Sequence, residues 1–193
     1  MKKINFTEVT NQQLVDVRSQ YDFQAGHLAN SLNLNLGNFK KYATYYLKLN
    51  QPVVFIVNDA EQENLEELSN LAKELNFTKA DGYLAIDDVL KEELQTLATI
   101  PAEDFLNQKD DYILLDVRRP DEITRPAPEK NLVNLPFEEL VTDYSTLDKD
   151  KIVYTLCGSG NRSTAAASYL LTKGFKPIVI DGGMKAVQTL ENK

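Results

Sequence analysis

A chain of 193 residues with 42% apolar and 26% charged side chains is too apolar for a disordered polypeptide, and its length allows one domain or two small ones. Lys and Arg number 21 against 29 Asp and Glu, and the net charge of −8 argues against non-specific nucleic-acid binding, which needs a basic surface. One cysteine, Cys157, and one histidine, His27, exclude an intrachain disulfide and any zinc site built from several Cys or His ligands.

The start, Met1-Lys2-Lys3, is basic but no apolar stretch follows it, so no signal peptide is expected and the expected address is cytoplasmic. No apolar run approaches the roughly 20 residues of a membrane-spanning helix. Further along, Leu14-Val15-Asp16-Val17-Arg18 is the first landmark. Tyr42, Tyr45 and Tyr46 have mixed helical spacing and are expected to pack. Val53-Val54-Phe55-Ile56-Val57 is a short β-rich run of buried-strand type. Leu65, Leu68, Leu71, Ala72 and Leu75 then fall at helical spacing, with the acids of 61–74 as a solvated face. Residues 88–101 are rich in Lys, Glu and Leu and are expected to form a partly helical linker.

Beyond it the pattern returns. Leu114-Leu115-Asp116-Val117-Arg118 matches Leu14-Val15-Asp16-Val17-Arg18, and Asp181-Gly182 matches Asp81-Gly82, both at an offset of 100. Between these landmarks, Ile152-Val153-Tyr154-Thr155-Leu156 lines up with 53–57, and a helix is expected over about 162–173, stopped by Gly174. The chain therefore reads as two tandem α/β modules, 1–97 and 98–193. Each is expected to be a mostly parallel sheet flanked by helices, with strands of the second near 112–117, 151–156 and 177–180. Ligands of such sheets bind at the carboxyl ends of the strands, where Cys157 stands.

The segment after that strand is Cys157-Gly158-Ser159-Gly160-Asn161-Arg162-Ser163-Thr164. Glycines let backbone N–H groups turn inward as an anion-binding nest, and the next helix adds unpaired amides and a positive dipole end. A cysteine in such a cradle is expected to favour its thiolate, and Arg162 adds a fork suited to oxyanions. The alternative is a buried structural cysteine before an ordinary turn. The Gly-Ser-Gly-Asn-Arg-Ser run at a strand-to-helix junction favours a functional loop.

Cys157-x-x-Gly160-x-Arg162-Ser163 resembles the active-site loop of the rhodanese (sulfurtransferase) family. Asp116-Val117-Arg118 and Asp181-Gly182-Gly183 resemble its flanking motifs, and the first copy adds Gly26-His27-Leu28 after Asp16-Val17-Arg18. The second copy lacks a Gly-His segment, having 125–130 there, and Val187 lies near the place of a common tryptophan. In the first copy Asn58 is read as standing at the cysteine position, within a loop that has no glycine and carries Asp59, Glu61 and Glu63. The resemblance thus implies an inactive first module and a catalytic second one.

It implies a sulfurtransferase in which the Cys157 thiolate takes sulfane sulfur from thiosulfate or a low-molecular-weight persulfide and passes it to a thiol, sulfite or cyanide. Gly158, Ser159, Gly160, Asn161, Arg162 and Ser163 are the expected substrate-binding residues, with Arg162 on the donor anion. No metal or organic cofactor is implied. A protein sulfur acceptor or a persulfide dioxygenase is an expected partner; nucleic acid and membrane are not. His27 and the Asp116–Arg118 pair are expected to be structural, with Arg118 or Arg119 on the substrate as the lesser reading. Two rivals share the loop. A rhodanese-related phosphatase or arsenate reductase would place the arginine six positions after the cysteine, where Arg162 is five after Cys157. A sulfur carrier docked on another protein would use the same loop without turnover.

Overall fold

The computed structural model describes residues 1–58, 62–80 and 82–191, and its chain divides into two compact units, Met1–Thr96 and Leu97–Lys193. The first is built from β1 (Lys2–Lys3), β2 (Gln13–Asp16), α1 (Gln20–Ala25), β3 (His27–Leu28), β4 (Leu32–Asn33), α2 (Leu36–Tyr46), β5 (Val53–Val57), α3 (Leu65–Glu74), β6 (Gly82–Ala85) and β7 (Leu94–Gln95). The second contains β8 (Thr99–Ile100), α4 (Ala102–Leu106), β9 (Tyr112–Asp116), β10 (Leu132–Asn134), α5 (Phe137–Asp143), β11 (Ile152–Leu156), α6 (Asn161–Thr172), β12 (Lys176–Ile180) and α7 (Gly183–Glu191). No helix among the described residues is long and apolar enough to cross a membrane.

Each unit holds a five-stranded, wholly parallel sheet, in the orders β1-β6-β5-β2-β4 and β10-β9-β11-β12-β8. The two orders are one topology, since β4, β2, β5, β6 and β1 take the places of β10, β9, β11, β12 and β8. Central strands buried on both faces need apolar residues at every position, and Val53–Val57 is buried throughout. In the second unit Leu114, Tyr154, Leu156 and Ile180 join Phe105, Met184 and Val187 in one apolar cluster. Val187 is fully buried there, filling the core with a smaller side chain than tryptophan. Helix α6 packs on β11 and β12. Its run of Ala165, Ala166 and Ala167 is fully buried, which lets the helix approach closely.

Both units end the helix after the central strand in the same way. Gly174 is left-handed at φ 79°, and the Gly174 and Phe175 amides donate to Leu171 and Leu170 carbonyls, a Schellman closure. Asn76, at φ 66°, and Phe77 repeat it after α3. On α3, Leu68, Leu71 and Ala72 face inward while Glu66, Glu67 and Glu74 are exposed, as expected of a solvated acidic face. Tyr45 is exposed and Tyr42 and Tyr46 are half-buried, so the tyrosines pack less than expected. The 88–101 stretch is also more than a linker. Beyond the 3-10 turn Lys91–Glu93, β7 pairs antiparallel with β3 and β8 completes the second sheet beside β12.

The Asp-x-Arg motif closes the carboxyl end of β2 and of β9 identically. Arg118 Nε and Nη2 bond Asp116 at 2.9 and 2.7 Å, the Arg118 amide bonds the same carboxylate, and Arg18 does likewise with Asp16. Asn134 Nδ2 then donates to the carbonyls of Asp116 and Arg118 at 2.9 Å each, and Asn33 repeats this on Asp16 and Arg18. The pairs are therefore braces, the structural role expected for Asp116 and Arg118. Substituting Asp116 by Ala leaves a buried guanidinium uncompensated, which costs on the order of 3–5 kcal/mol. Denaturant unfolding should show a loss of that order, and a loss below about 1 kcal/mol would contradict the brace.

The register corrects two sequence alignments. Asp16 lies opposite Ile56, and Asp116 opposite Leu156. The Val17 amide bonds the Ile56 carbonyl as the Val117 amide bonds that of Leu156. The two central strands thus correspond at an offset of 100, and Val57, not Asn58, takes the place of Cys157. Two short strand-type runs without alternation, Val53–Val57 and Ile152–Leu156, hide a one-residue slip. The second correction concerns the Asp-Gly match. Gly82 lies within β6 opposite Val54, whereas Gly182 lies beyond β12 in a left-handed turn at φ 69°, so these glycines are not counterparts. Asp81 lies outside the described residues.

Candidate active site

Strand β11 ends at Leu156 and delivers Cys157 to the carboxyl edge of its sheet, where the residue is 2% exposed. The chain then wraps around the sulfur. Gly160, left-handed at φ 97°, is the N-cap of α6 and turns its own amide toward Cys157 Sγ at 3.2 Å. The Ser163 amide reaches Sγ at 3.4 Å, and Ser163 Oγ lies 3.5 Å from it. Ser163 Oγ and Thr164 Oγ1 each donate to the Gly160 carbonyl at 2.9 Å, as the Thr164 amide does. Those bonds fix the turn from which the amides point at sulfur. Amide N–H groups aimed at one atom are donors to negative charge placed there.

The second support comes from α7. The Met184 amide donates to the Cys157 carbonyl at 2.8 Å and the Lys185 amide to the Gly158 carbonyl at 3.1 Å. Helix α7 begins so close to the loop that Gly183, at φ 57°, has no room for a side chain. A Cβ there would lie 2.4 Å from the Cys157 carbonyl oxygen and 3.0 Å from the amides of Ser159 and Gly160. This is the physical content of Asp181-Gly182-Gly183. Gly158, by contrast, has open space around a Cβ position, so the turn requires glycine at 160 but not at 158.

Arg162 is positioned differently from the sequence expectation. Its Nη1 donates to Glu122 Oε2 at 3.0 Å and its Nη2 to Glu122 Oε1, a bidentate pair with the turn that follows β9. Arg162 holds the Glu122 carboxyl below the usual carboxylate range, aided by the nearby Arg119 and Arg118 charges. The guanidinium assigned to the donor anion is thus engaged by an acid that the sequence reading missed. Glu122 carries no local sequence signal; its partner lies 40 residues away. Arg118 is spent on Asp116, and Arg119 lies 3.4 Å from Asp121 and 3.6 Å from Glu122.

The first unit has no such cradle among its described residues. Val57 is a buried strand residue at the cysteine's place, and Asp59 and Glu61 lie outside the described residues. His27 is buried, its Nδ1 3.0 Å from the Phe23 carbonyl and its ring stacked on Phe23 at 4.1 Å. Burial holds the imidazole below its ordinary range. Its role there is packing and hydrogen bonding, as expected.

The family model described as "Rhodanese-like domain" matches the chain twice, over residues 3–84 and 101–190. A sulfurtransferase of Allochromatium vinosum is 32% identical over 82 residues, 42% of this chain and 76% of that protein. The tRNA sulfurtransferase of Haemophilus ducreyi is 29% identical over 101 residues, 51% of this chain but 20% of that protein, so the match spans about a fifth of its length. Among solved structures, a rhodanese-related protein of Thermoplasma volcanium is 31% identical with a TM-score of 0.45, covering 48% of this chain and 92% of that one.

Proposed function

Because the chain belongs to the rhodanese-like domain family along most of both halves, we propose that it moves sulfane sulfur from thiosulfate or a low-molecular-weight persulfide to a thiol, sulfite or cyanide through a Cys157 persulfide. The observation that carries this reading is the convergence of the Gly160 and Ser163 amides on one buried sulfur. The Cys157 thiolate attacks the outer sulfur of thiosulfate. A sulfur–sulfur bond forms as the outer sulfur's bond to the sulfonate group breaks, and sulfite leaves with the electron pair. The enzyme holds an anionic perthiolate, to which the same amides remain the natural donors. Cyanide or a thiolate then attacks the terminal sulfur, takes it as thiocyanate or a persulfide, and returns the Cys157 thiolate. No proton must move in either step with these anions, so no general base is needed and none need stand beside Cys157. A thiol on a protein acceptor fits the second step equally.

The first module brings no nucleophile of its own, since a valine side chain cannot carry sulfane sulfur, and its contribution is structural or in docking. Covalent catalysis in two half-reactions predicts ping-pong kinetics. Initial rates over a grid of thiosulfate and cyanide concentrations should therefore give parallel double-reciprocal lines. Hydrolysis of aryl phosphates at ordinary enzyme rates, about 1–1000 per second, in the absence of thiocyanate production, would replace this reading with the phosphatase one. Sulfur uptake limited to a single equivalent per chain with every small acceptor would replace it with the carrier.

A further inference from the structure

The loop sits among several cations, and most of them are neutralised. Arg118 is bonded to Asp116, Arg162 to Glu122, and Arg119 lies beside Asp121 and Glu122. Thiosulfate carries two negative charges, and an active site that takes it benefits from an unpaired cation at its mouth. Lys185 has its backbone against that loop, so its long side chain starts within reach of the sulfur's surroundings. It lies in the first turn of α7, its amide bonded to the Gly158 carbonyl at 3.1 Å, next to the residue whose amide holds Cys157. Its side chain is exposed, and among the described residues no carboxylate pairs with its ammonium. The ammonium tethered there is compact, mobile and free to follow a small anion.

We propose that Lys185, rather than Arg162, is the cation that recognises an anionic sulfur donor at Cys157. The inference rests on the sulfur-transfer reading and names the charge selectivity of that site. Arg162 becomes a positioning residue: through Glu122 it ties the start of α6, which carries the Ser163 amide, to the turn after β9. The roles predict different donor profiles. Loss of Lys185 should weaken the dianion selectively, whereas loss of Arg162 should disturb the cradle for every donor. Arg125 is an exposed cation of the same unit that also has no carboxylate partner among the described residues, and its carbonyl accepts from Arg118. It therefore serves as the comparison.

The test is kcat/KM for thiosulfate and for cysteamine persulfide, which has no net charge, in the full chain and in Lys185→Gln, Lys185→Arg, Arg125→Gln and Arg162→Ala. Losing one charge-assisted contact corresponds to about a tenfold or greater change. Lys185→Gln should lower kcat/KM for thiosulfate by that factor, mainly through KM, and blunt its salt dependence. It should change persulfide use less than twofold, by the same contact argument. Lys185→Arg should restore thiosulfate use, and Arg162→Ala should lower both donors alike. Equal losses for both donors in Lys185→Gln, or a selective thiosulfate loss in Arg125→Gln or Arg162→Ala instead, would overturn the assignment of Lys185. Failure of the unsubstituted chain to take sulfur from either donor would overturn the sulfur-transfer reading itself, and this assignment with it.

Discussion

Cys157→Ser should abolish sulfur transfer while the protein keeps its fold. The serine is close in size to the cysteine it replaces and meets the same donors, the Gly160 and Ser163 amides. Its hydroxyl is not appreciably ionised at neutral pH and forms no stable counterpart of a persulfide. Removing the nucleophile of a covalent enzyme costs on the order of 10⁶ in kcat, so activity should fall to the assay's floor. The chain has no second cysteine to substitute for it. Restoration in the first unit should fail as well. Val57→Cys places a thiol at the true counterpart of Cys157, and Asn58→Cys places one a residue later. Neither is followed in sequence by a glycine at the place of Gly160, since 58–64 contains none. Each variant, combined with Cys157→Ser, should remain inactive by thiocyanate assay. Activity in either would show that the first unit holds a latent cradle.

The second large effect belongs to a residue that never touches sulfur. Gly183→Ala places a methyl group 2.4 Å from the Cys157 carbonyl oxygen and forces a left-handed conformation on alanine. The conformation alone costs roughly 1–2 kcal/mol, and relief of the clash must push α7 or the loop outward. A displacement near 1 Å at a catalytic group can cost about 100-fold in rate. The variant should lose at least that factor in kcat/KM for thiosulfate and for a persulfide alike. A loss of 1–2 kcal/mol also lowers the melting temperature of a domain of this size by roughly 4–16 °C. Gly158→Ala is the matched control, because a Cβ there meets open space. Its melting temperature should stay close to that of the unsubstituted chain. If Gly183→Ala melts and turns over like the control, the close approach of α7 does not hold the loop.

Much of this arrangement is legible in the residues. The strand, glycine turn and helix around Cys157 follow from local chemistry, and β9, β11, β12 and α6 lie within a residue or two of where periodicity and turn signals put them. The stop at Gly174 is of the same kind, a local signal with a local cause. The features that escape are those decided by distant partners. Glu122 binds Arg162 across 40 residues, and no spacing rule connects them. Lys185 gains its place only because α7 starts against the loop. The slip between Asn58 and Val57 is a different failure. Five buried positions on one strand and four on the other carry no alternation, so composition cannot register them, and only pairing with the Asp-x-Arg strand does. Asn33 and Asn134 were equally hidden, although their shared hydrogen bonds make them the better evidence of repetition than the Asp-Gly match.

Covalent carriage of sulfur on one residue of the second unit is what the proposed mechanism requires. Intact-mass measurement after incubation with thiosulfate, without acceptor, tests it most directly. The unsubstituted chain should gain one sulfur atom, peptide mapping should place it on Cys157, and cyanide should remove it with release of thiocyanate. The Cys157→Ser chain should gain none. Sulfur retained by Cys157→Ser, or turnover to thiocyanate by a chain that never acquires the added atom, would contradict the account.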